Sequence, residues 1–391
     1  MQPRTPTPRV AIACGGTGGH LFPGLAVAEQ LRQRGCAVTL LISPKEVDQQ
    51  AVQTATGVQV ATLPAVGLNR GGLLAFARGF ARSYFAARKL FAVDPPEAVL
   101  AMGGFTSAPP VLAGKAFRAP TFLHESNTIP GRANRWLSWV ISQAFVGFPG
   151  ATTRLHTRRV KVTGTPVRPQ FHPGDVAACR QALGLDPDKP VLLVTGGSQG
   201  ASGLNELVIQ TLPMLAVLAP GLQLFHLTGP NDVEKVEQVC ATHRIKAVVR
   251  PFFGEMHLAL GAATAVISRA GASSLAELAA MRLPAILVPF PAATDNHQFY
   301  NAQAFEKTGA ARLLEQKNAL PEFLAPWVVE LVENPAVRGA MQKALAQWHA
   351  PQAAEQIAES IMQAIGDRRL ATGSISMAAP SSIEHRQSVI T

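Results

Sequence analysis

The sequence predicts an α/β protein made of two Rossmann-like, doubly wound halves that face one another across a cleft. Three observations predict it. Short apolar runs of strand length alternate with stretches of helix length over most of the 391 residues. The first run, Val10-Ala11-Ile12-Ala13-Cys14, feeds a glycine-rich turn, Gly15-Gly16-Thr17-Gly18-Gly19-His20, and then a helical stretch from Leu21. A later run, Val191-Leu192-Leu193-Val194-Thr195, feeds Gly196-Gly197-Ser198-Gln199-Gly200-Ala201, an opening of the same kind. Strand, glycine turn and helix open a doubly wound unit, and two openings argue for two units.

The elements follow in order. Val38 to Ile42, Ala98 to Met102, Thr121 to Glu125 and Ala144 to Phe148 read as further strands of the first half. Their apolar runs suit strands covered on both faces, as in a parallel sheet with crossover helices. A second glycine turn, Gly103-Gly104-Phe105-Thr106-Ser107, follows the run at Ala98. Pro169, Pro173, Pro187 and Pro190 mark a connection. In the second half, Gln223 to Thr228, Ala247 to Val249, Ala265 to Ser268 and Ala285 to Val288 continue as strands after Val191. Residues 320–365 read as helices, the last expected to return to the first half. The chain beyond Gly366 is Ser-, Ala- and Thr-rich without periodicity, so disorder is expected there. The division is therefore 1–166, 167–366 and a tail, 367–391.

Composition narrows the partners. The chain is 47% hydrophobic and 15% charged, enough to bury two cores, with net charge +10. That excess suits an anionic lipid surface or a phosphorylated substrate. Few aromatics and no RNA- or DNA-binding motif argue against nucleic acid. Four cysteines, at 14, 36, 179 and 240, form no CxxC pair, which argues against a metal or disulfide framework. The first nine residues hold no apolar segment of the signal-peptide kind. The longest uncharged stretch, about 207–229, is broken by Pro213, Pro220 and Gly221 and reads as helix, turn and strand.

The glycine turns carry the chemistry. The first departs from the dinucleotide pattern: counted from Gly16, the sixth place is Leu21, and Leu40-Leu41-Ile42 ends in Ser43 rather than an acid. A nicotinamide cofactor is disfavoured. A glycine loop at a helix start still offers N–H groups and a partial positive charge to a diphosphate. His20 stands at that helix start, where the dipole favours the neutral imidazole that a general base needs. A capping or packing histidine is the alternative. Asp186-Pro187-Asp188 matches a DxD metal motif by letter but lies in a proline-rich turn, and no metal site is expected.

Several motifs, in order, carry a resemblance. They are GGTGGH at 15–20, His124-Glu125-Ser126-Asn127, Pro130-Gly131-Arg132-Ala133-Asn134 and Gly164-Thr165-Pro166-Val167-Arg168. GGSQGA at 196–201, Arg269-Ala270-Gly271-Ala272 through Glu277, and Asp295-Asn296-His297-Gln298 complete the set. Over about residues 9–365 the chain resembles the MurG family of glycosyltransferases. Ser126, Phe105 and Thr165 depart from the residues common there, which are Gln, Tyr and Asn.

The resemblance implies a GT-B fold with no cofactor and no obligatory metal. It implies transfer of GlcNAc from UDP-GlcNAc to the 4-hydroxyl of undecaprenyl-pyrophosphoryl-MurNAc-pentapeptide, with inversion, at the cytoplasmic face of the inner membrane. His20 and Glu125 are then the candidate bases, a choice that the residues leave open. Thr17, Gly18 and Gly19 line the cleft, and Asn127 reaches towards GlcNAc. Ser198 and its loop face the donor phosphates. Ala272, Ser273, Ser274, Leu275 and Ala276 form a second helix start, and Glu277 takes the ribose hydroxyls. Arg168 reaches uridine or phosphate. Phe252 caps the uracil side, Phe253 offers backbone contacts, and Gln298 and His297 touch GlcNAc hydroxyls.

A lipid acceptor calls for a membrane face. Residues 70–91 contain no acid. At about 100° per residue, Leu73, Phe76, Phe80 and Tyr84 fall within about 80° of one another, with Arg78, Arg82 and Lys89 opposite. That pattern suits a basic amphipathic helix on an anionic surface, or else an ordinary helix with its stripe in the core. Two other functions share the fold: a UDP-GlcNAc 2-epimerase or antibiotic glycosyltransferase, and a nucleotide-sugar sensor without turnover.

Overall fold

The structure is a computed structural model and describes residues 6–16, 18–45, 49, 52, 57–64, 72–197 and 200–373, the side chain of Leu73 excepted. Thr17, Ser198, the Leu73 side chain and the chain from 374 lie outside the described residues.

The first sheet has seven strands, β1 (Arg9–Ala13), β2 (Ala37–Ile42), β3 (Gln59–Thr62), β4 (Ala98–Ala101), β5 (Thr121–Glu125), β6 (Gln143–Val146) and β7 (Val160–Val162). Their order is β3-β2-β1-β4-β5-β6-β7, parallel throughout. The second sheet holds β8 (Val191–Thr195), β9 (Gln223–Leu227), β10 (Ala247–Arg250), β11 (Ala265–Ser268), β12 (Ala285–Leu287) and β13 (Arg312–Leu313). Its order is β10-β9-β8-β11-β12-β13, again parallel. Both sheets reverse their winding once, between β1 and β4 and between β8 and β11. Crevices open at the carboxyl ends of such strand pairs. All four glycine-containing turns singled out in the sequence leave these four strands.

The expected two-sheet α/β architecture is therefore observed. The sheet faces are covered by helices. α1 (Gly18–Gln33) lies on one face of the first sheet, and α2 (Gly72–Val93), α3 (Ala108–Ala116) and α4 (Arg132–Leu137) lie on the other. The second sheet carries α5 (Val176–Ala182), α6 (Ser202–Leu218), α7 (Val233–Thr242), α8 (Met256–Ala262), α9 (Ala272–Met281), α10 (His297–Lys307), α11 (Pro321–Glu333) and α12 (Pro335–Trp348).

The last helix, α13 (Ala353–Ala371), packs Ile357, Ile361 and Ile365 into the core of the first sheet beside Leu21 and Leu31. Each such side chain contributes about 1.5–3 kcal/mol on full burial. This helix corrects the expected start of the tail at 367. It runs on through Arg369, whose guanidinium donates to both carboxylate oxygens of Glu97 at 2.6 Å and to the Pro6 carbonyl at 2.7 Å. The final turn is held by this ion pair rather than by an apolar stripe, so apolar periodicity ends before the helix does.

The stripe on α2 is also corrected. Phe80 and Tyr84 pack, half-buried, against the first-sheet core, in line with the buried Ala87 and Phe91. A parallel sheet must have its face covered, and α2 covers it beside α3. The outward face instead carries Leu74, 79% exposed, and Phe85, 63% exposed, among the exposed Arg78, Arg82 and Lys89.

Candidate active site

β1 delivers the first glycine turn to the cleft. A Cβ at Gly15 would collide with the Ser43 amide at the end of β2, so only glycine lets the turn press there. Thr106 Oγ1 ties the turn down by donating to the Gly15 carbonyl at 2.6 Å. His20 follows in the first turn of α1. Its ring packs against Gly103 and Gly104, where added Cβ atoms would sit 2.9 Å from Cε1 and 3.2 Å from Cδ2. Both glycines have positive φ, 106° and 80°. The second glycine turn is thus the seat of the His20 ring.

β5 ends in two buried side chains with separate tasks. His124 faces the junction between the halves. Its Nε2 donates to the Gly164 carbonyl at 3.0 Å, which leaves Nδ1 to accept from Ser126 Oγ at 3.2 Å. Burial pushes it down to about 4, so it stays neutral.

Glu125 is 1% exposed and accepts four hydrogen bonds. Oε1 takes the Asn127 amide at 2.8 Å and Asn127 Nδ2 at 3.1 Å. Oε2 takes the Gly131 amide at 2.9 Å and Asn134 Nδ2 at 2.7 Å. Those bonds fold the 126–134 loop around the carboxylate.

Across the cleft, β11 leads into α9. Ser273 Oγ donates to the Gly19 carbonyl at 2.8 Å, joining the two helix starts. Ala272 and Leu275 are buried in the second core, and the Leu275 amide bonds the Gly271 carbonyl at 3.0 Å. The helix head is therefore built from the main chain of residues 272–274.

Glu277 stands one turn further on, with Oε1 3.8 Å from Arg168 Nη2. Burial pushes its carboxyl up to about 7 against the pull of Arg168. Burial likewise lowers Arg168, so desolvation outweighs the pairing at this distance. The Arg168 guanidinium lies over the Phe22 ring at 4.2 Å and the Phe171 ring at 5.0 Å, between the halves.

The other expected residues separate. Phe252 is 54% exposed just beyond β10, whereas Phe253 turns inward, edge-on to Phe225 at 5.4 Å. Gln298 Oε1 accepts from the Ala270 and Phe290 amides at 3.2 and 3.0 Å, so its oxygen braces the loop before α9. His297 Nδ1 lies 2.8 Å from the Thr294 carbonyl. Asp186 Oδ1 accepts from the Asp188 amide at 3.1 Å, which makes the DxD letters a turn.

Sequence reasoning gave no role to Asn134, Lys45 or Asn301. Lys45 Nζ donates to the Gly16 carbonyl at 2.6 Å, above the Phe105 ring. Asn301 is buried and bridges the halves. Its spacing of one turn from Gln298 on α10 was the available signal.

Two parallel-sheet halves with glycine turns and helix starts meeting between them define a GT-B fold. The glycosyltransferase family 28 N-terminal domain matches residues 10–146, and the family 28 C-terminal domain matches residues 191–357. A protein of Anaeromyxobacter dehalogenans (strain 2CP-1) is 37% identical over 368 residues, covering 92% of this chain and 94% of its own. It is named UDP-N-acetylglucosamine--N-acetylmuramyl-(pentapeptide) pyrophosphoryl-undecaprenol N-acetylglucosamine transferase.

The crystal structure of Acinetobacter baumannii MurG superposes with TM-score 0.71 at 28% identity, over 91% of this chain and 99% of its own. A crystal structure of a UDP-N-acetylglucosamine 2-epimerase gives 0.67 at 14% identity, over 93% and 98% of the two chains, and shares the fold alone. The chain belongs to the MurG family of glycosyltransferases.

Proposed function

We propose that this protein transfers GlcNAc from UDP-GlcNAc to the 4-hydroxyl of a lipid-linked MurNAc-pentapeptide, converting lipid I to lipid II with inversion at C1. The observation that carries the reading is the meeting of the two helix starts, Ser273 Oγ to Gly19 carbonyl at 2.8 Å, with His20 on one side and Glu277 and Arg168 on the other.

His20 takes the proton from the acceptor hydroxyl as that oxygen attacks C1. Its ring is seated against Gly103 and Gly104. Glu125 has both oxygens engaged by four donors and serves to shape the loop that presents Asn127. The departing UDP carries its new charge on the diphosphate. The N–H groups at the head of α9, the helix dipole and the 196–201 loop with Ser198 stabilise that charge. Glu277 accepts the ribose hydroxyls and Arg168 meets phosphate or uridine, which relieves the desolvation both suffer in the free site. Phe252 covers uracil, and Asn127 and the Gln298 amide nitrogen meet GlcNAc.

No helix among the described residues is long and apolar enough to cross a membrane. We place the protein peripherally on the cytoplasmic face of the inner membrane, through the outward side of α2. Leu74 and Phe85 enter the interface there and Arg78 and Arg82 meet anionic headgroups.

The test is incubation with labelled UDP-GlcNAc and a lipid-linked MurNAc acceptor. Label in the lipid product, dependent on acceptor, supports the reading. Formation of an epimer without acceptor, or tight UDP-GlcNAc binding without turnover, refutes it.

A further inference from the structure

One fully buried amide lies where the two halves meet and has no part in the chemistry above. Asn301, on α10, is 0% exposed. Its Oδ1 accepts from the Thr128 amide at 2.9 Å, and its Nδ2 donates to Asn127 Oδ1 at 3.0 Å. Both partners belong to the loop after β5, in the first half. The same Nδ2 donates to the Ala270 carbonyl at 3.2 Å, in the loop that leads into α9. Gln298, one turn earlier on α10, accepts the Ala270 amide, so one helix face holds both polar groups of that residue.

The orientation of each amide in this chain is forced. Glu125 can only accept, so Asn127 must turn Nδ2 towards it and Oδ1 away. The Thr128 amide can only donate, so Asn301 must turn Oδ1 towards it and Nδ2 towards Asn127. An unbroken hydrogen-bond path therefore runs from Glu125 through Asn127 and Asn301 to Ala270. An apolar side chain would fill the same space without needing partners, whereas a buried amide is tolerated only while all its partners are in place. All of them are in place only when the halves are together.

We propose that Asn301 is a positioning residue that locks the acceptor-side loop to the head of the donor helix, so that Asn127, already oriented by Glu125, is held against the donor half only in the closed molecule. Asn301 acts through Asn127 and touches neither the sugar nor the diphosphate. The proposal rests on the transfer reaction above. Failure of that reaction would show as absent wild-type turnover, whereas failure of the present proposal would show in the pattern among variants.

The experiment is a double-substitution cycle in the full chain with Asn127→Ala, Asn301→Ser and both together. It measures kcat, the donor KM, the Kd for UDP and UDP-GlcNAc, and Tm. Asn301→Ser keeps a small polar group and is the milder replacement; Asn127→Ala changes a half-buried loop residue and leaves the core intact. The expected result is that Asn301→Ser lowers kcat about tenfold to a hundredfold, the range for a lost buried hydrogen-bond partner. Both Kd values should change by less than about threefold, the tolerance expected of an independent site. In the Asn127→Ala background the second substitution should add nothing to the loss. Multiplicative losses, or weakened UDP-GlcNAc binding with UDP binding intact, would make Asn301 a direct sugar ligand and overturn the proposal. A lowered Tm with kcat unchanged would reduce it to packing and overturn it equally.

Discussion

Replacing Glu125 by Gln separates a shaping carboxylate from a proton acceptor. The side chain keeps its size, but one oxygen becomes an NH2 group. In either orientation that group faces two donors: the Asn127 amide and Nδ2, or the Gly131 amide and Asn134 Nδ2. Two bonds to a charged acceptor are lost, at about 1.5–3 kcal/mol each. At least 3 kcal/mol follows if the loop relaxes little, and about 2–4 °C per kcal/mol gives a fall in Tm of roughly 6–12 °C for a domain of this size. The loop should also shift, and a displacement of about 1 Å at a site costs up to about a hundredfold in rate. Differential scanning fluorimetry and initial rates at saturating substrates measure both effects. His20→Ala is the contrast: kcat down by about 10²–10⁴, the worth of a general base, with Tm nearly unchanged. If Glu125→Gln left Tm within a degree while abolishing turnover, Glu125 would be the base and the reasoning from its four donors would fail.

Three more outcomes follow from the same geometry. Burial holds the Glu277 carboxyl at about 7 in the fold against an ordinary value of 4.5, so the native state holds the extra proton between those values. Stability attributable to it falls as pH rises from 4.5 to about 7 and is level above. Ribose hydroxyls need the ionised form, so the donor KM should rise about tenfold per pH unit below 7 and lose that dependence in Glu277→Gln, as a pH series of initial rates would show. Gly103→Ala forces a Cβ to 2.9 Å from the His20 ring at a φ of 106°. It should lower stability by about 1–3 kcal/mol in denaturant titration and depress kcat with little change in UDP affinity. Reversing Arg78 and Arg82 to Glu should weaken binding to anionic vesicles at least thirtyfold, from about 1 kcal/mol per cation near the surface, and leave neutral vesicles unaffected in a sedimentation assay.

The parts of the fold that sequence exposes are those buried on both faces. Strands β1, β4, β8 and β11 read as largely apolar runs because helices cover them above and below. The three strands that went unread, β3, β7 and β13, all lie at the ends of their sheets. Gln59-Val60-Ala61-Thr62 has no fully buried residue, so nothing selects an apolar run there. The stripe on α2 shows the complementary limit. Periodicity locates an apolar face, but whether that face meets a sheet or a lipid is a property of what lies opposite. Here the sheet takes Phe80 and Tyr84, and the residues left outside, Leu74 and Phe85, share a face but stand about three turns apart among basic residues, too sparse to form a stripe.

The candidate site divides along the same line. Glycine loops and helix starts are legible because a backbone requirement dictates the residue. Polar side chains that work through one another are not. Asn134 and Asn301 are ordinary letters until the chain brings Glu125, Asn127 and Ala270 beside them. The same holds for the choice between His20 and Glu125, which no pattern of residues can make. A carboxylate with four donors has its lone pairs engaged before any substrate arrives, and turning one towards the acceptor would require breaking the loop that forms the site. The four donors around Glu125, all within nine residues of it and carried by the loop after β5 and the first turn of α4, are therefore our reason for proposing His20 as the base.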